Sequence, residues 1–98
     1  MTLCVDPERN EIEALKQVVD WRGREVLEIG CGDGRLTRRL AALGARVRAI
    51  DPDTALVRAA RRGMTRRERT RVRFDVGRAG RLEYPPATFD VVLLAWSL

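Results

Sequence analysis

The chain has 98 residues, enough for one domain, and its 45% hydrophobic and 34% charged residues are ordinary for a globular protein. It contains no histidine, and Cys4 and Cys31 form no CxxC motif, which argues against a zinc site and removes Ser-His and Cys-His catalysis. The net charge is +5, and every basic residue except Lys16 is an arginine.

The N-terminal sequence shows no targeting pattern. Its first residues, MTLCVDPERN, are polar and acidic and lack the apolar core of a signal peptide. Elsewhere no apolar run approaches the roughly 20 residues that a membrane-spanning helix needs. We therefore expect a cytoplasmic protein without a membrane contact.

Patterns of helices and strands alternate along the chain. A leading helix in residues 1–23 is expected to begin after Asp6-Pro7, an N-cap followed by a proline suited to the first turn, and to end at Gly23. The later elements are predicted as strands at 25–29, 46–50, 71–76 and 89–96, helices at 35–43 and 54–62, and a Gly- and Pro-rich loop at 77–88.

This alternation predicts an α/β fold. Strands separated by helices form a parallel sheet with right-handed crossovers. The apolar run VVLLAW in the last predicted strand fits a strand that is buried on both faces.

Three glycines, Gly30, Gly32 and Gly34, lie where the first predicted strand ends and a helix begins. Ligands of open α/β sheets bind at the carboxyl ends of the strands, and glycine lets a ligand approach the backbone. The P-loop pattern GxxxxGK[ST] is absent, and the third glycine comes one residue too early for the dinucleotide pattern GxGxxG. We therefore predict that the glycine backbone lies against a different small molecule.

Carboxylates lie at the ends of three predicted strands, at Glu28, Asp51 and Asp75. Asp51 follows the glycine loop by about 20 residues, the spacing at which an acid can accept hydrogen bonds from a ribose. Glu28 is a poor neighbour for a pyrophosphate and a good one for a ligand that carries positive charge and hydroxyl groups. Together the three acids indicate a binding site at this edge of the sheet.

The series of motifs resembles the class I S-adenosylmethionine-dependent methyltransferases. VLEIGCGDG is similar to their first motif, AIDPD to the second, and RFDV followed by LEYPPATFDVVLLAWSL to the third and fourth, so the resemblance covers residues 24–96. It implies a Rossmann-like, doubly wound parallel sheet in which the four predicted strands have the order 3-2-1-4. It also implies S-adenosyl-L-methionine as the cofactor and direct methyl transfer to an unidentified nucleophile, most simply on a small molecule.

The resemblance assigns roles around the methionine and the ribose. Glu28 would orient the loop or meet the amino group of the methionine. The backbone of Gly30, Cys31 and Gly32 would pack against the methionine and ribose. Asp51 would accept hydrogen bonds from both ribose hydroxyls.

Other positions would surround the adenine and the methionine amine. Pro52 would pack on one adenine face, Asp75 would contact the adenine amino group, and the N–H of Val76 would contact the ring. Ala95 would present a backbone carbonyl near the amine. No catalytic residue and no metal ligand is implied.

Three further residues have structural interpretations. Without a base, Cys31 is predicted to be a small residue that fills the loop rather than a nucleophile. Asp33 is predicted to be an acid favoured by the helix dipole. Asp90 is predicted to be structural.

Residues 1–98 are interpreted as a single methyltransferase domain that is incomplete at its C-terminus, with residues 24–98 forming the cofactor-binding part. Family members usually have seven strands, in the order 3-2-1-4-5-7-6. The fourth predicted strand would then be an apolar edge strand, so we expect marginal stability or self-association through it.

The sequence leaves alternative functions open. A NAD- or FAD-binding Rossmann module would share the sheet and Asp51. A non-catalytic, methyltransferase-like protein could serve as a partner subunit, or could bind RNA through the arginine-rich run at 61–73.

Overall fold

The computed structural model describes residues 2–5, 19–78 and 88–95. Its elements follow the order expected from the sequence, with one strand added at the N-terminus. They are β1 (Thr2–Val5), β2 (Glu25–Ile29), α1 (Arg35–Ala42), β3 (Arg46–Asp51), α2 (Thr54–Gly63), a short 3-10 helix (Glu68–Thr70), β4 (Val72–Val76) and β5 (Val91–Ala95).

The described strands form one parallel sheet in the order β1-β5-β2-β3-β4. The strands that were predicted from the sequence are β2, β3, β4 and β5, and their arrangement β4-β3-β2-β5 confirms the order 3-2-1-4. The sheet therefore reverses its winding direction between β2 and β5, which is where an open α/β sheet forms a ligand crevice.

The expectation that the fourth predicted strand is an edge strand is wrong. Strand β1 pairs with β5 in parallel, with Leu3 opposite Leu93 and Val5 opposite Ala95. Residues 2–5 were not predicted as a strand, because four residues show too little alternation to be recognised. An apolar strand with unpaired backbone groups favours the addition of another strand, and the segment TLCV supplies one.

The leading helix that was predicted from Asp6 lies mainly outside the described residues. Its expected end at Gly23 is not observed, since residues 19–24 contain no helix. Gly23 instead turns the chain with φ 70°, and its N–H donates to the carbonyl of Gly44 at 2.9 Å. This bond ties the start of β2 to the end of α1.

The short helix at Glu68–Thr70 was also absent from the sequence prediction. Thr65 and Glu68 form a capping box: the N–H of Thr65 donates to Glu68 Oε1 at 2.9 Å, and the N–H of Glu68 donates to Thr65 Oγ1 at 3.1 Å. The predicted third strand therefore begins at Val72, one residue later than expected.

Helices α1 and α2 bury their apolar sides against the same face of the sheet, because both connections run toward β4 with the same hand. Asp53 caps α2, accepting from the N–H groups of Ala55 and Leu56 at 2.9 and 3.2 Å. The resulting core contains Trp21, Val26, Cys31, Leu36, Leu40, Ala41, Ala45, Val47, Ala49, Val57, Ala60, Val72, Phe74, Val91 and Leu93.

Candidate functional site

The loop after β2 is attached to the end of β3 by backbone hydrogen bonds. The N–H groups of Gly30 and Cys31 both donate to the carbonyl of Ile50, at 2.8 and 3.1 Å. Gly30 has φ 85°, a left-handed conformation that glycine adopts without steric cost. The loop therefore bends across the carboxyl ends of β2 and β3, as expected for the floor of a site.

Asp51, at the end of β3, holds this loop through its carboxylate. Oδ2 accepts from the N–H of Gly32 at 3.0 Å, and Oδ1 accepts from the N–H of Asp53 at 2.8 Å. The residue is only 7% exposed. Each carboxylate oxygen can accept more than one hydrogen bond, so a fixed acceptor with spare capacity lies beside the loop.

Gly32 is the loop glycine that faces open space. It has φ 55°, and a Cβ added to it would meet no atom within 4 Å. Its backbone is therefore accessible from the carboxyl edge of the sheet, next to Asp51. Gly32 therefore fits the predicted role of lying against a ligand.

Gly34 packs against the core of the domain. It is the N-cap of α1 with φ 87°, and an added Cβ would lie 2.7 Å from Cζ of Phe74 in β4. Glycine is required here because the loop packs directly on an aromatic core residue. Gly34 therefore serves packing, and the contacts of Gly30, Cys31 and Gly32 with a ligand remain predictions.

Glu28 is completely buried under the loop, where Thr37 of α1 donates a hydrogen bond to its Oε1. Among the described residues, no donor reaches its Oε2. Burial raises the pKa of Glu28 to about 7; the bond from Thr37 opposes this rise, and the negative charge of Asp51 adds to it. A buried acceptor without a partner is costly, so Oε2 marks a position where a hydrogen-bond donor would stabilise the site.

Asp75 forms ion pairs with two arginines. Arg61, at the end of α2, approaches Oδ1 at 3.2 Å, and Arg73 approaches Oδ2 at 3.1 Å. Arg61 also donates from Nε to the carbonyl of Phe74 at 2.8 Å. The structure thus brings Glu28, Asp51 and the glycine loop together but places Asp75 in an ion-pair cluster on β4.

The remaining predicted contact residues lie around the same edge of the sheet. Pro52 is exposed beside Asp51, and Val76, opposite Asp51 in the register, is 49% exposed. Ala95 ends β5 opposite Val5. Their positions place them near the candidate site without assigning them a contact.

Cys31 lies in the loop but is not suited to nucleophilic attack. Its side chain is buried, and this burial raises the pKa of the thiol to about 12, with the negative charges of Glu28 and Asp51 adding to the rise. A thiol with this pKa stays protonated at neutral pH. The residue fills the loop, as the sequence predicted.

Asp33 and Asp90 have structural contacts that match their predicted roles. Asp33 Oδ1 accepts from the N–H of Arg35 at 3.2 Å, at the start of α1. Asp90 accepts at Oδ2 from the N–H of Glu25 at 2.8 Å, and its own N–H donates to the carbonyl of Glu25 at 2.8 Å. Asp90 therefore connects the starts of β5 and β2.

Sequence reasoning missed two residues that support the site. Thr37 donates a hydrogen bond to Glu28. The sequence contained a signal for this role, because Thr37 is a hydroxyl residue next to Leu36, on the side of α1 that carries the apolar positions. Arg61 holds Asp75, and it was visible only as one member of a basic run. Neither contact follows from spacing alone, because each partner comes from a different element.

Within residues 2–5, 19–78 and 88–95, no group of three potential metal ligands lies together. In the same part of the chain, no helix combines the length and apolar character that crossing a membrane requires.

The sequence of this chain is similar to those of known methyltransferases. The sequence model of a family described as a methyltransferase domain matches residues 26–98. Over 79 residues, covering 71% of this chain and 26% of the relative, the sequence is 35% identical to the mitochondrial ubiquinone biosynthesis O-methyltransferase of Schizosaccharomyces pombe.

Solved structures show the same fold. An S-adenosylmethionine dependent methyltransferase from Mesorhizobium loti matches with a TM-score of 0.72 at 23% identity, over 86% of this chain and 38% of that one. The glycopeptide N-methyltransferase MtfA, complexed with sinefungin, matches with a TM-score of 0.70 at 25% identity, over 94% and 40% of the two chains. The chain therefore spans well under half the length of these proteins.

Proposed function

The chain belongs to the family of methyltransferase domains, whose sequence model matches residues 26–98, and from this membership we propose that it binds S-adenosyl-L-methionine. In this proposal residues 1–98 supply the cofactor-binding part of an enzyme that methylates a small molecule. The observation that carries the proposal is the open face of Gly32 beside Asp51, together with the oxygen of Glu28 that lacks a partner among the described residues.

The chemistry of these residues fits the proposed cofactor. The cofactor carries an amine, two ribose hydroxyls and a sulfonium cation, and all of these groups favour carboxylate neighbours. Asp51 is held by two backbone N–H groups and has spare acceptor capacity for the hydroxyls. Glu28 has a buried oxygen that lacks a donor among the described residues, and an amine would supply that donor.

We propose that residues around Asp51, at the carboxyl edge of the sheet, contact the adenine. Pro52 and Val76 offer exposed apolar surface on either side of Asp51. Asp75 can accept a bond from an amino group only in addition to its ion pairs with Arg61 and Arg73. The carbonyl of Ala95 is proposed to face the methionine amine from β5.

The bound cofactor would supply an already activated methyl group, so the protein's contribution is binding and orientation. Asp51 and the loop backbone would fix the cofactor relative to the sheet. Cys31 would stay a protonated thiol and take no part as a nucleophile. Alignment of donor and acceptor can account for several kcal/mol of the activation barrier.

A small-molecule acceptor is proposed because the Schizosaccharomyces pombe relative is named for an O-methylation in ubiquinone biosynthesis. The acceptor itself would meet parts of the enzyme outside the described residues. A cytoplasmic location likewise stays a prediction from the N-terminal sequence.

Two glycines provide a matched test of the binding site. Gly32 and Gly23 both have left-handed φ, 55° and 70°, and both face open space, but only Gly32 lies at the proposed site. We expect Gly32→Ala to weaken binding of S-adenosylhomocysteine at least about ten-fold in calorimetric titration, because a methyl group there would overpack the ligand interface. Gly23→Ala carries the same backbone strain and should bind like wild type.

Circular dichroism must show that both variants are folded, and NAD is titrated in parallel. Equal weakening by the two variants would show that backbone strain, not the site, controls binding. Binding of NAD but not of S-adenosylhomocysteine would favour a nicotinamide-binding module instead. Asp51→Ala should also abolish binding, but it is the less specific change because it removes two hydrogen bonds within the protein.

A further inference from the structure

A second cleft lies at the opposite end of the sheet from the candidate cofactor site. It has a volume of about 290 Å³ and is formed at the amino ends of β3 and β4. Its most prominent feature is a group of five arginines, which we call the arginine cleft: Arg46, Arg48, Arg69, Arg71 and Arg73.

Four of these arginines face one another across neighbouring strands. Arg48 is paired directly with Arg73 in the β3–β4 register, and Arg46 and Arg71 each come one residue before the pair Val47 and Val72. Paired residues on adjacent strands are about 5 Å apart, and like charges placed there destabilise a sheet. The fold therefore places several guanidinium groups together at an electrostatic cost.

Acidic residues neutralise only part of this charge. Arg46 lies 3.9 Å from Glu25, and Arg73 lies 3.1 Å from Asp75. Arg69 and Arg71 are exposed, and no acidic side chain of the described residues lies within ion-pair distance of either. An anion between the strands would relieve the repulsion and accept hydrogen bonds from Arg69 and Arg71.

We propose that the arginine cleft binds the phosphate groups of a compact phosphorylated ligand. Guanidinium groups form paired, charge-assisted hydrogen bonds with phosphate oxygens, and several of them converge on one small volume. Phe89 and Val72 also line the cleft and offer apolar surface to the rest of the ligand.

Two of the arginines that line the adjoining depressions are already paired with acidic residues. Arg22 and Arg38, which line the adjoining depressions, are paired with Asp20 at 3.0 Å and Glu68 at 3.4 Å. The small volume of the cleft, about 290 Å³, favours a compact ligand over the backbone of a nucleic acid. The cleft and the proposed cofactor site lie at opposite ends of the strands, and the ion pair of Arg73 with Asp75 connects them.

Inorganic pyrophosphate is the probe for the test. It is titrated by calorimetry into the full chain at low ionic strength, beside Arg71→Gln and a control, Arg58→Gln. Arg58 is an exposed arginine of α2 that does not line the cleft, so the control has the same change in net charge. We expect saturable binding that Arg71→Gln weakens about ten-fold, the loss typical of a charge-assisted hydrogen bond, and that Arg58→Gln leaves unchanged.

Arg69→Gln provides a second variant if Arg71→Gln does not fold, and it should weaken binding as well. The proposal is overturned if pyrophosphate does not bind, or if Arg58→Gln weakens it as much as the cleft variants do. It is also overturned if a short single-stranded RNA binds through Arg71 while pyrophosphate does not. Binding of S-adenosylhomocysteine by Arg71→Gln should equal that of wild type, which separates the two sites.

Discussion

At the scale of single residues, Glu28 shows how the same atoms affect both stability and binding. Its carboxyl group is buried beside Asp51, with Oε1 bonded to Thr37 and Oε2 without a partner in the described structure. Burial makes the charged form costly, so the pKa of Glu28 is raised from 4.5 to about 7. The acid is therefore partly neutral near neutral pH until a positive group approaches it.

This shift predicts a specific dependence of stability on pH. Because the pKa of Glu28 is higher in the folded than in the unfolded chain, the folded state holds the proton more tightly between pH 4.5 and about 7. The contribution of Glu28 to the free energy of unfolding is complete below this range and decreases as the pH rises through it. In Glu28→Gln, the glutamine at position 28 does not titrate, so its contribution to the free energy of unfolding does not change with pH. The stability of this variant relative to wild type should rise by about 2 to 3 kcal/mol between about pH 5 and pH 8.

Urea unfolding of both proteins at the two pH values measures this difference directly. The other carboxylates are common to both proteins and cancel in the comparison. A difference that stays constant with pH would contradict the raised pKa of Glu28.

At the scale of elements, the loop after β2 is shaped by its neighbours on two sides. On the open side, Gly32 and Asp51 form the candidate site. On the packed side, Gly34 lies against Phe74 of β4. The position of the loop therefore depends on a strand that follows it by about 40 residues in the sequence.

This packing predicts that Gly34→Ala is more damaging than Gly23→Ala. Both changes introduce a left-handed alanine, which costs about 1 to 2 kcal/mol, but only the Gly34 variant also forces a Cβ against Phe74. Overpacking adds about 1 to 3 kcal/mol, so the free energy of unfolding should fall further for Gly34→Ala. Chemical denaturation of both variants measures the difference.

A double-mutant cycle identifies the cause. In Phe74→Leu the ring atoms that clash are absent, so Gly34→Ala should cost less in that background than in wild type. An equal cost in both backgrounds would show that the contact with Phe74 is not responsible.

At the scale of the whole molecule, the N-terminal strand determines which strand forms the edge of the sheet. With β1 paired to β5, the apolar residues Val92 and Leu94 belong to an internal strand of the described sheet. Because of this pairing, β5 is not the exposed edge strand that was predicted from the sequence. Self-association through β5 is therefore expected only when β1 is removed.

Replacing residues 2–5 with Gly-Ser-Gly-Ser tests this role at constant chain length. We expect the variant to have a lower melting temperature and to associate more strongly with rising concentration, because β5 would then present unpaired backbone groups. Sedimentation velocity over a wide concentration range measures the association of both proteins. Identical behaviour would show that β1 does not protect the edge.

Much of the fold could be read from the sequence because its signals are local. Apolar periodicity and glycine boundaries located β2, β3, β4, β5, α1 and α2 to within about two residues, and alternation of strands and helices predicted a parallel sheet. The series of motifs also predicted the family. The match of the methyltransferase domain model to residues 26–98 confirms this prediction. Two local features were missed, the four-residue β1 and the capping box of Thr65 and Glu68, although the pattern TRRE contains the signal for the latter.

The order of residues along the chain was sufficient to predict most of the elements, the family and the positions of the acids at the strand ends, because these depend on local signals. The contacts that those acids make became visible only in the three-dimensional arrangement. Asp51 bonds to Gly32, whereas Asp75 pairs with Arg61, and both contacts join residues that are distant in sequence. It likewise decided that Gly34 serves packing and that β1 covers β5. The physical reason is that burial and pairing arise between elements, and the spacing of residues within an element does not specify them.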